Sequence, residues 1–267
     1  MSSINRYIFI IQHTSYHQQH NQSLHRIMEL DLDFTTQQAK FNTVRNILTS
    51  PNKKFIVLDG VISAGKTTLI RLLEEKLNRE GPLKVKAIYE PVDLWNSTGA
   101  LQYFYDDVPT RAYEFQTYTY ITRIARVINE LAAAPDADVY LLERSIWTDR
   151  YIFMALLKTH IGSLKCQMYD QWCDLWAYIM PMRVDKWVFL DTSLEESLKR
   201  IRIRNRESES GVSEEYQTAL YNKHVEFYNE LQNQGRPVLI IESRLMDDNF
   251  ITNTNTLETI ASKVIAF

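Results

Sequence analysis

Only two cysteines, Cys166 and Cys173, occur among 267 residues. They form neither a CxxC pair nor a disulfide framework, so two ordinary thiols of an intracellular protein are expected. The expected compartment is the cytoplasm, with a mitochondrial one left open. Surplus charge of one sign is also missing: 30 Lys and Arg face 33 Asp and Glu, a formal net charge of −3. A general nucleic-acid binder needs an excess of cations to neutralise phosphates, so that class is set aside; a few local cations still suffice for one nucleotide. No apolar run approaches the ~20 residues of a membrane-spanning helix, and the hydrophobic patch at 7–11 is too short for a signal-peptide core. Neither nucleic acid nor membrane is therefore an expected partner. Repeats and Gly/Ser linkers are absent too, and 45% hydrophobic residues in a chain of this length predict one large domain.

Residues 1–40 stand apart, rich in Gln, Asn, His and Ser. They read as a polar, flexible extension to a domain at 41–267. His13, His17 and His20, with His25 beyond, have a spacing that would put three imidazoles on one helix face, as a zinc site needs. No Cys or HExxH accompanies them, and the compositional bias favours a disordered polar tract. Arginine is sparse here and Glu29, Asp31 and Asp33 lie close, which argues against a mitochondrial transit peptide. Met28 offers an alternative start.

From residue 55 the chain alternates short apolar runs with helical patterns. The runs are 55–59, 85–89, 139–143, 187–191 and 238–242, each nearly continuous in apolar character, as in strands covered on both faces. Segments 69–79, 115–131 and 195–206 carry apolar residues at helical spacing between them. The pattern predicts an α/β fold: five parallel strands in a three-layer arrangement, with helices on both faces. Directly after the first run stands Gly60-Val-Ile-Ser-Ala-Gly65-Lys66-Thr67, a full GxxxxGK[ST] loop between strand and helix. Its backbone N–H groups and the helix N-terminus suit phosphate oxygens, so Gly60, Ala64, Gly65, Lys66, Thr67 and Thr68 are expected around a donor triphosphate. Lys66 should reach the β- and γ-phosphates, and the Thr67 hydroxyl should ligate Mg²⁺.

A phosphate loop leaves the acceptor open. Glu90-Pro91-Val92-Asp93-Leu94-Trp95 follows the second run, at the sheet edge where ligands bind in open α/β folds. A carboxylate there can orient or deprotonate a hydroxyl. The third run ends in Glu143-Arg144-Ser145, followed by Asp149-Arg150-Tyr151 and Phe153; Glu143 can hold Mg²⁺, directly or through water, and an adjacent Arg can stabilise transferring charge. Taken singly, each of these is equally an exposed carboxylate or a surface ion pair.

In order, Glu-Pro-Val-x-x-Trp, then Phe115-Gln116-Thr117-Tyr118, then Glu-Arg-Ser-x-x-x-Asp-Arg-Tyr-x-Phe resemble the deoxycytidine/deoxyguanosine kinase family over about residues 55–228. The resemblance implies transfer of the γ-phosphate of ATP or another NTP to the 5′-hydroxyl of a deoxynucleoside, with Mg²⁺, by a homodimer. It implies Glu90 as general base with Arg144 as its partner, and Lys66 at the phosphates. It also implies Gln116 on the base edge, Trp95 and Phe153 as walls, and Tyr105 at the sugar 3′-hydroxyl. The run from Glu195 to Glu209 resembles the family's Arg-rich lid, in which Arg200, Arg204 and Arg206 contact phosphate and Glu209 reaches the sugar; by charge pattern alone it is equally a solvated helix face. Val61 departs from relatives with a polar residue there, and 243–250, where the donor-base loop is expected, matches weakly and is longer.

Arg123 lies two helical turns after Gln116, and Asp149 five residues after Arg144, so the two should pair, either beside the base or, equally by spacing, as a buried structural ion pair. Relatives resembling this chain at both positions favour deoxycytidine and purine deoxynucleosides, which makes thymidine a poor expected substrate. The alternatives are a thymidylate-type monophosphate kinase, in which Glu90 would repel the acceptor's phosphate, and a silent kinase-like subunit.

Overall fold

The computed structural model describes residues 34–204, 212–242 and 254–266. Five strands, β1 (Lys54–Asp59), β2 (Val85–Ile88), β3 (Val139–Glu143), β4 (Lys186–Asp191) and β5 (Val238–Glu242), form one all-parallel sheet in the order β2-β3-β1-β4-β5. They match the expected runs to within a residue at each end. β1 is buried from Phe55 to Asp59 and β3 over its whole length, the burial that a near-continuous apolar run demands. Parallel strands cannot be joined by tight turns, so helices carry each crossover over the sheet faces.

The helix Lys66–Glu80 buries Leu69, Ile70, Leu73 and Leu77, spaced at three and four residues, onto Ile56, Leu58, Leu141 and Val188 of the central strands. The long helix Val108–Ala133 joins Trp95, Phe104, Tyr169 and Cys173 in a second apolar cluster. Both cysteines are free thiols, Cys173 buried and Cys166 half-buried.

Register decides where the loops meet. Leu58 pairs with Glu143 across β1 and β3, and Asp59 with Phe189 across β1 and β4, so β1 and β3 end within a residue of each other and β4 runs two residues further. The loop after Asp59, the turn after Glu143 and the segment after β2 therefore open on one sheet edge.

A helix, Phe34–Thr49, runs through the boundary expected at residue 40, and the chain divides into the compact units Met1–Thr43 and Val44–Phe267. The expected histidine tract, Arg206, Glu209 and the stretch 243–250 lie outside the described residues. Among the described residues no helix is long and apolar enough to cross a membrane.

Candidate active site

A cavity of about 740 Å³ lies over this sheet edge, within the unit Val44–Phe267. Every described candidate from the sequence lines it except Gly60, which sits beneath. At φ +147° a side chain on Gly60 would be strained, and a Cβ would lie 2.8 Å from the Leu190 carbonyl oxygen. The Gly60 amide donates to Asp59 Oδ1 at 2.7 Å, and its carbonyl accepts from Lys66 Nζ at 3.1 Å and from Arg144 at 3.0 Å. It anchors the two cations rather than facing the cavity.

Further along the loop, Ser63 (φ +59°) and Gly65 (φ +98°) are both left-handed, and Gly65 leads into the helix Lys66–Glu80. Alternating backbone of this kind gathers N–H groups into an anion-binding concavity at a helix N-terminus. Lys66 is buried and also donates to the Val61 carbonyl at 2.9 Å. Burial, helped by Arg144, lowers its ammonium to about 8 against the pull of Glu143, Glu90 and Asp59.

Across the cavity, Glu90 is clamped by two guanidinium groups. Arg123 donates to Oε1 at 2.8 Å, and Arg144 donates to both carboxylate oxygens at 3.2 Å. Burial works against its charge, but Arg144, Arg123 and Lys66 together outweigh it and hold the carboxyl down to about 2. Arg144 reaches there from a left-handed backbone (φ +61°), an uncommon state for a residue with a side chain, and lies 4.7 Å over the Phe153 ring.

Thr67 Oγ1 donates to Glu143 Oε1 at 2.7 Å. Burial and the neighbouring Glu90 push the Glu143 carboxyl up, while Lys66 and Thr67 oppose this. A hydroxyl and a carboxylate at the phosphate cradle are hard oxygen donors of the kind Mg²⁺ takes, in the small number it takes beside phosphates and water. No group of three His, Cys, Asp or Glu able to hold a metal exists among the described residues.

Arg123 forks onto Asp149, Nε to Oδ2 at 2.7 Å and a terminal nitrogen to Oδ1 at 2.9 Å. Its other terminal nitrogen donates to the Glu143 carbonyl at 3.1 Å. The spacing predicted the pair with Asp149; the bond to Glu90 was not foreseen. The Trp95 indole N–H donates to Thr122 at 2.9 Å, which fixes the ring with its face 5.6 Å from the Arg123 guanidinium carbon. Phe104 stacks on Phe115 at 4.4 Å, and Tyr105 meets Tyr216 edge-on. Gln116 is buried among them, and its Oε1 has no partner among the described residues. A buried acceptor left unpaired is costly, which is what a ligand donor would relieve.

The helix Leu194–Arg204 supplies Arg200 and Arg204 to the cavity, and also Glu196, Lys199 and Ile203. Arg200 donates to Glu196 at 2.8 Å and to the Ala64 carbonyl at 3.3 Å.

Sequence reasoning missed the layer underneath. Asp59, wholly buried, accepts from Thr148 Oγ1 at 2.6 Å, faces His224 Nε2 at 3.2 Å, and lies 3.4 Å from Arg144 Nε. Burial raises its carboxyl, but His224, Arg144 and Thr148 hold it well below the ordinary range. The second ring nitrogen of His224 lies 2.8 Å from the Leu220 carbonyl. An acid ending an apolar run just before the phosphate loop was a legible signal for Asp59. His224, a lone histidine on a distant helix, and Tyr216 carried none.

The sequence profile of the deoxynucleoside kinase family matches residues 56–267. Among individual proteins, the chain is 29% identical over 216 residues to a probable deoxycytidine kinase of Fowlpox virus, covering 80% of this chain and 88% of that one. It is 28% identical over 197 residues to the deoxycytidine kinase of Homo sapiens, 64% of this chain and 74% of that one. To the mitochondrial thymidine kinase 2 of Homo sapiens it is 29% identical over 198 residues, 72% of this chain and 71% of that one.

Proposed function

The chain belongs to the deoxynucleoside kinase family and is an ATP-dependent deoxynucleoside kinase, and we propose that it takes deoxycytidine or a purine deoxynucleoside in preference to thymidine, with Glu90 receiving the 5′-hydroxyl proton. The observation that carries the assignment of Glu90 is the clamp: an ionised carboxylate held by Arg123 and Arg144 in the cavity that also contains Lys66. The 5′-oxygen bonds to the γ-phosphorus as the bond to the β–γ bridging oxygen breaks, and the products are a deoxynucleoside monophosphate and a nucleoside diphosphate. A carboxylate held near 2 is a weak base toward a free alcohol. Glu90 therefore orients the hydroxyl first and takes its proton late, once the forming P–O bond has made that proton acidic.

Lys66, the loop amides, Arg200 and Arg204 would neutralise the triphosphate, and Arg144 the transferring group. Thr67 and Glu143 would hold Mg²⁺, which when bound neutralises charge on the phosphoryl oxygens.

For the base, Gln116 brings an unpaired acceptor and Asp149 keeps free lone pairs beside its bonds to Arg123. Both suit an exocyclic amine, which thymine lacks, and the thymine methyl would crowd Arg123. A site with buried polar groups discriminates strongly against a base that leaves them unpaired. Tyr105 would meet the sugar, with Trp95 and Phe153 as the walls. An exposed stripe of Leu164, Met168, Trp172 and Leu175 on helix Ser163–Ile179 supports pairing with a second copy of the chain. The test is a panel of the four deoxynucleosides with ATP and Mg²⁺, read as kcat/KM. Deoxycytidine, deoxyadenosine or deoxyguanosine should lead; thymidine outperforming all three would overturn the base assignment.

A further inference from the structure

Two side chains outside the cradle control how its amides point. Gln217, wholly buried on helix Glu214–Asn233, donates its amide NH₂ to the Ile62 carbonyl at 3.1 Å and to Ser197 Oγ. Ser197, equally buried on helix Leu194–Arg204, donates its hydroxyl to the same carbonyl at 2.9 Å. A carbonyl only accepts, so the NH₂ end of Gln217 must face it, and the three groups close into one small ring of hydrogen bonds. Two residues on, the Ala64 carbonyl is held in the same way by Thr192 Oγ1 at 3.2 Å and by Arg200 at 3.3 Å.

In a trans peptide the C=O and the following N–H point in opposite directions across one rigid plane. Holding the Ile62 carbonyl toward Ser197 and Gln217 directs the Ser63 N–H the other way, and holding the Ala64 carbonyl directs the Gly65 N–H. These are the amides of the two left-handed residues, Ser63 and Gly65. Ser63 has no glycine-like freedom, and a side-chain-bearing residue stays in that conformation only where its surroundings over-determine it.

We infer that Gln217 and Ser197 are positioning residues for the phosphate donor, acting through the Ile62–Ser63 peptide; this rests on the reading that the loop holds the donor. Ser197 precedes and Gln217 follows the segment 205–211. Helices Leu194–Arg204 and Glu214–Asn233 are thus both tied to one carbonyl of the loop. Neither side chain lines the cavity, so their loss acts on donor binding without removing any contact to the nucleoside.

The experiment compares Gln217→Met, Ser197→Ala and Lys66→Ala with the parent, measuring KM for ATP, KM for the deoxynucleoside, Kd for tripolyphosphate and Tm. Gln217→Met should raise KM for ATP and Kd for tripolyphosphate about tenfold, the effect of the Ile62 carbonyl losing one of its two neutral hydrogen bonds, with deoxynucleoside KM changed less than about twofold. Ser197→Ala should move the same two quantities in the same direction and answers the question if Gln217→Met fails to fold. A fall in Tm with both donor quantities unchanged, while Lys66→Ala abolishes donor binding, would overturn the positioning role alone. Equal rises in both KM values would overturn it too. Unchanged donor binding in Lys66→Ala would overturn the phosphate-loop reading itself.

Discussion

The sharpest quantitative consequence concerns the fork between Arg123 and Asp149. The two side chains are 4% and 2% exposed, so removing either partner strands a charge away from water. Such a loss costs about 3–5 kcal/mol. The two single substitutions are not equivalent. Asp149→Ala leaves Arg123 still donating to Glu90 at 2.8 Å and to the Glu143 carbonyl at 3.1 Å, so its cost should fall near ~3 kcal/mol. Arg123→Met strands Asp149 and also removes one of the two clamps on Glu90, placing it near ~5 kcal/mol. At about 2–4 °C of Tm per kcal/mol for a domain of this size, the expected losses are roughly 6–12 °C and 10–20 °C. In the double variant neither fork charge remains, and its loss should fall short of the sum by about 2–3 kcal/mol. Scanning calorimetry of the four proteins gives the cycle. From the family resemblance and the chemistry of the base, the double variant should raise thymidine kcat/KM. The bond from Arg123 to Glu90 adds that kcat should fall for every nucleoside, so the ratio of thymidine to deoxycytidine kcat/KM is the quantity that rises. Additive single losses with an unchanged ratio would refute both the pairing energetics and the base assignment.

Glu90→Gln should lower kcat by on the order of 10²–10⁴-fold with donor binding largely intact; parent-like turnover would remove Glu90 from the chemistry. Because the Glu90 carboxyl is held at about 2, below its ordinary 4.5, its contribution to stability is fully present above 4.5 and is lost as pH falls through about 2. The kcat profile should accordingly show no acid limb from Glu90 above pH 5, and Arg144→Met should bring one in by releasing that carboxyl upward; an unmoved limb contradicts the clamp. A chain beginning at Met28 keeps the helix Phe34–Thr49 and should fold and phosphorylate normally. Loss of soluble protein on that truncation would show that residues 1–27 complete the domain.

Where chemistry depends on near neighbours along the chain, it was legible in the sequence. The loop from Gly60 to Thr67 is contiguous, its flanking strand and helix carry their own periodicities, and the five apolar runs mark the five strands to within a residue. Helical spacing placed Gln116 and Arg123 on one face, and a resemblance spread over three ordered motifs supplied the roles expected of Glu90, Arg144 and Phe153. Periodicity says which way a side chain faces and nothing about what it meets there. Asp59 and His224 are separated by 165 residues and Ile62 and Gln217 by 155. Their contacts join the end of β1 to the helix between β4 and β5, in a sheet where β4 and β5 continue on one side of β1 and β3 and β2 on the other. That strand order brings Glu90, Glu143 and Asp149 around the Arg123 guanidinium and turns an expected pair into a shared clamp. Residue types and local spacing thus marked a phosphate loop and a carboxylate on one sheet edge as candidates, and the ordered motifs added the roles expected of them. The folded sheet alone decided how its buried charges are divided among partners, because burial removes the water that would otherwise satisfy each of them separately.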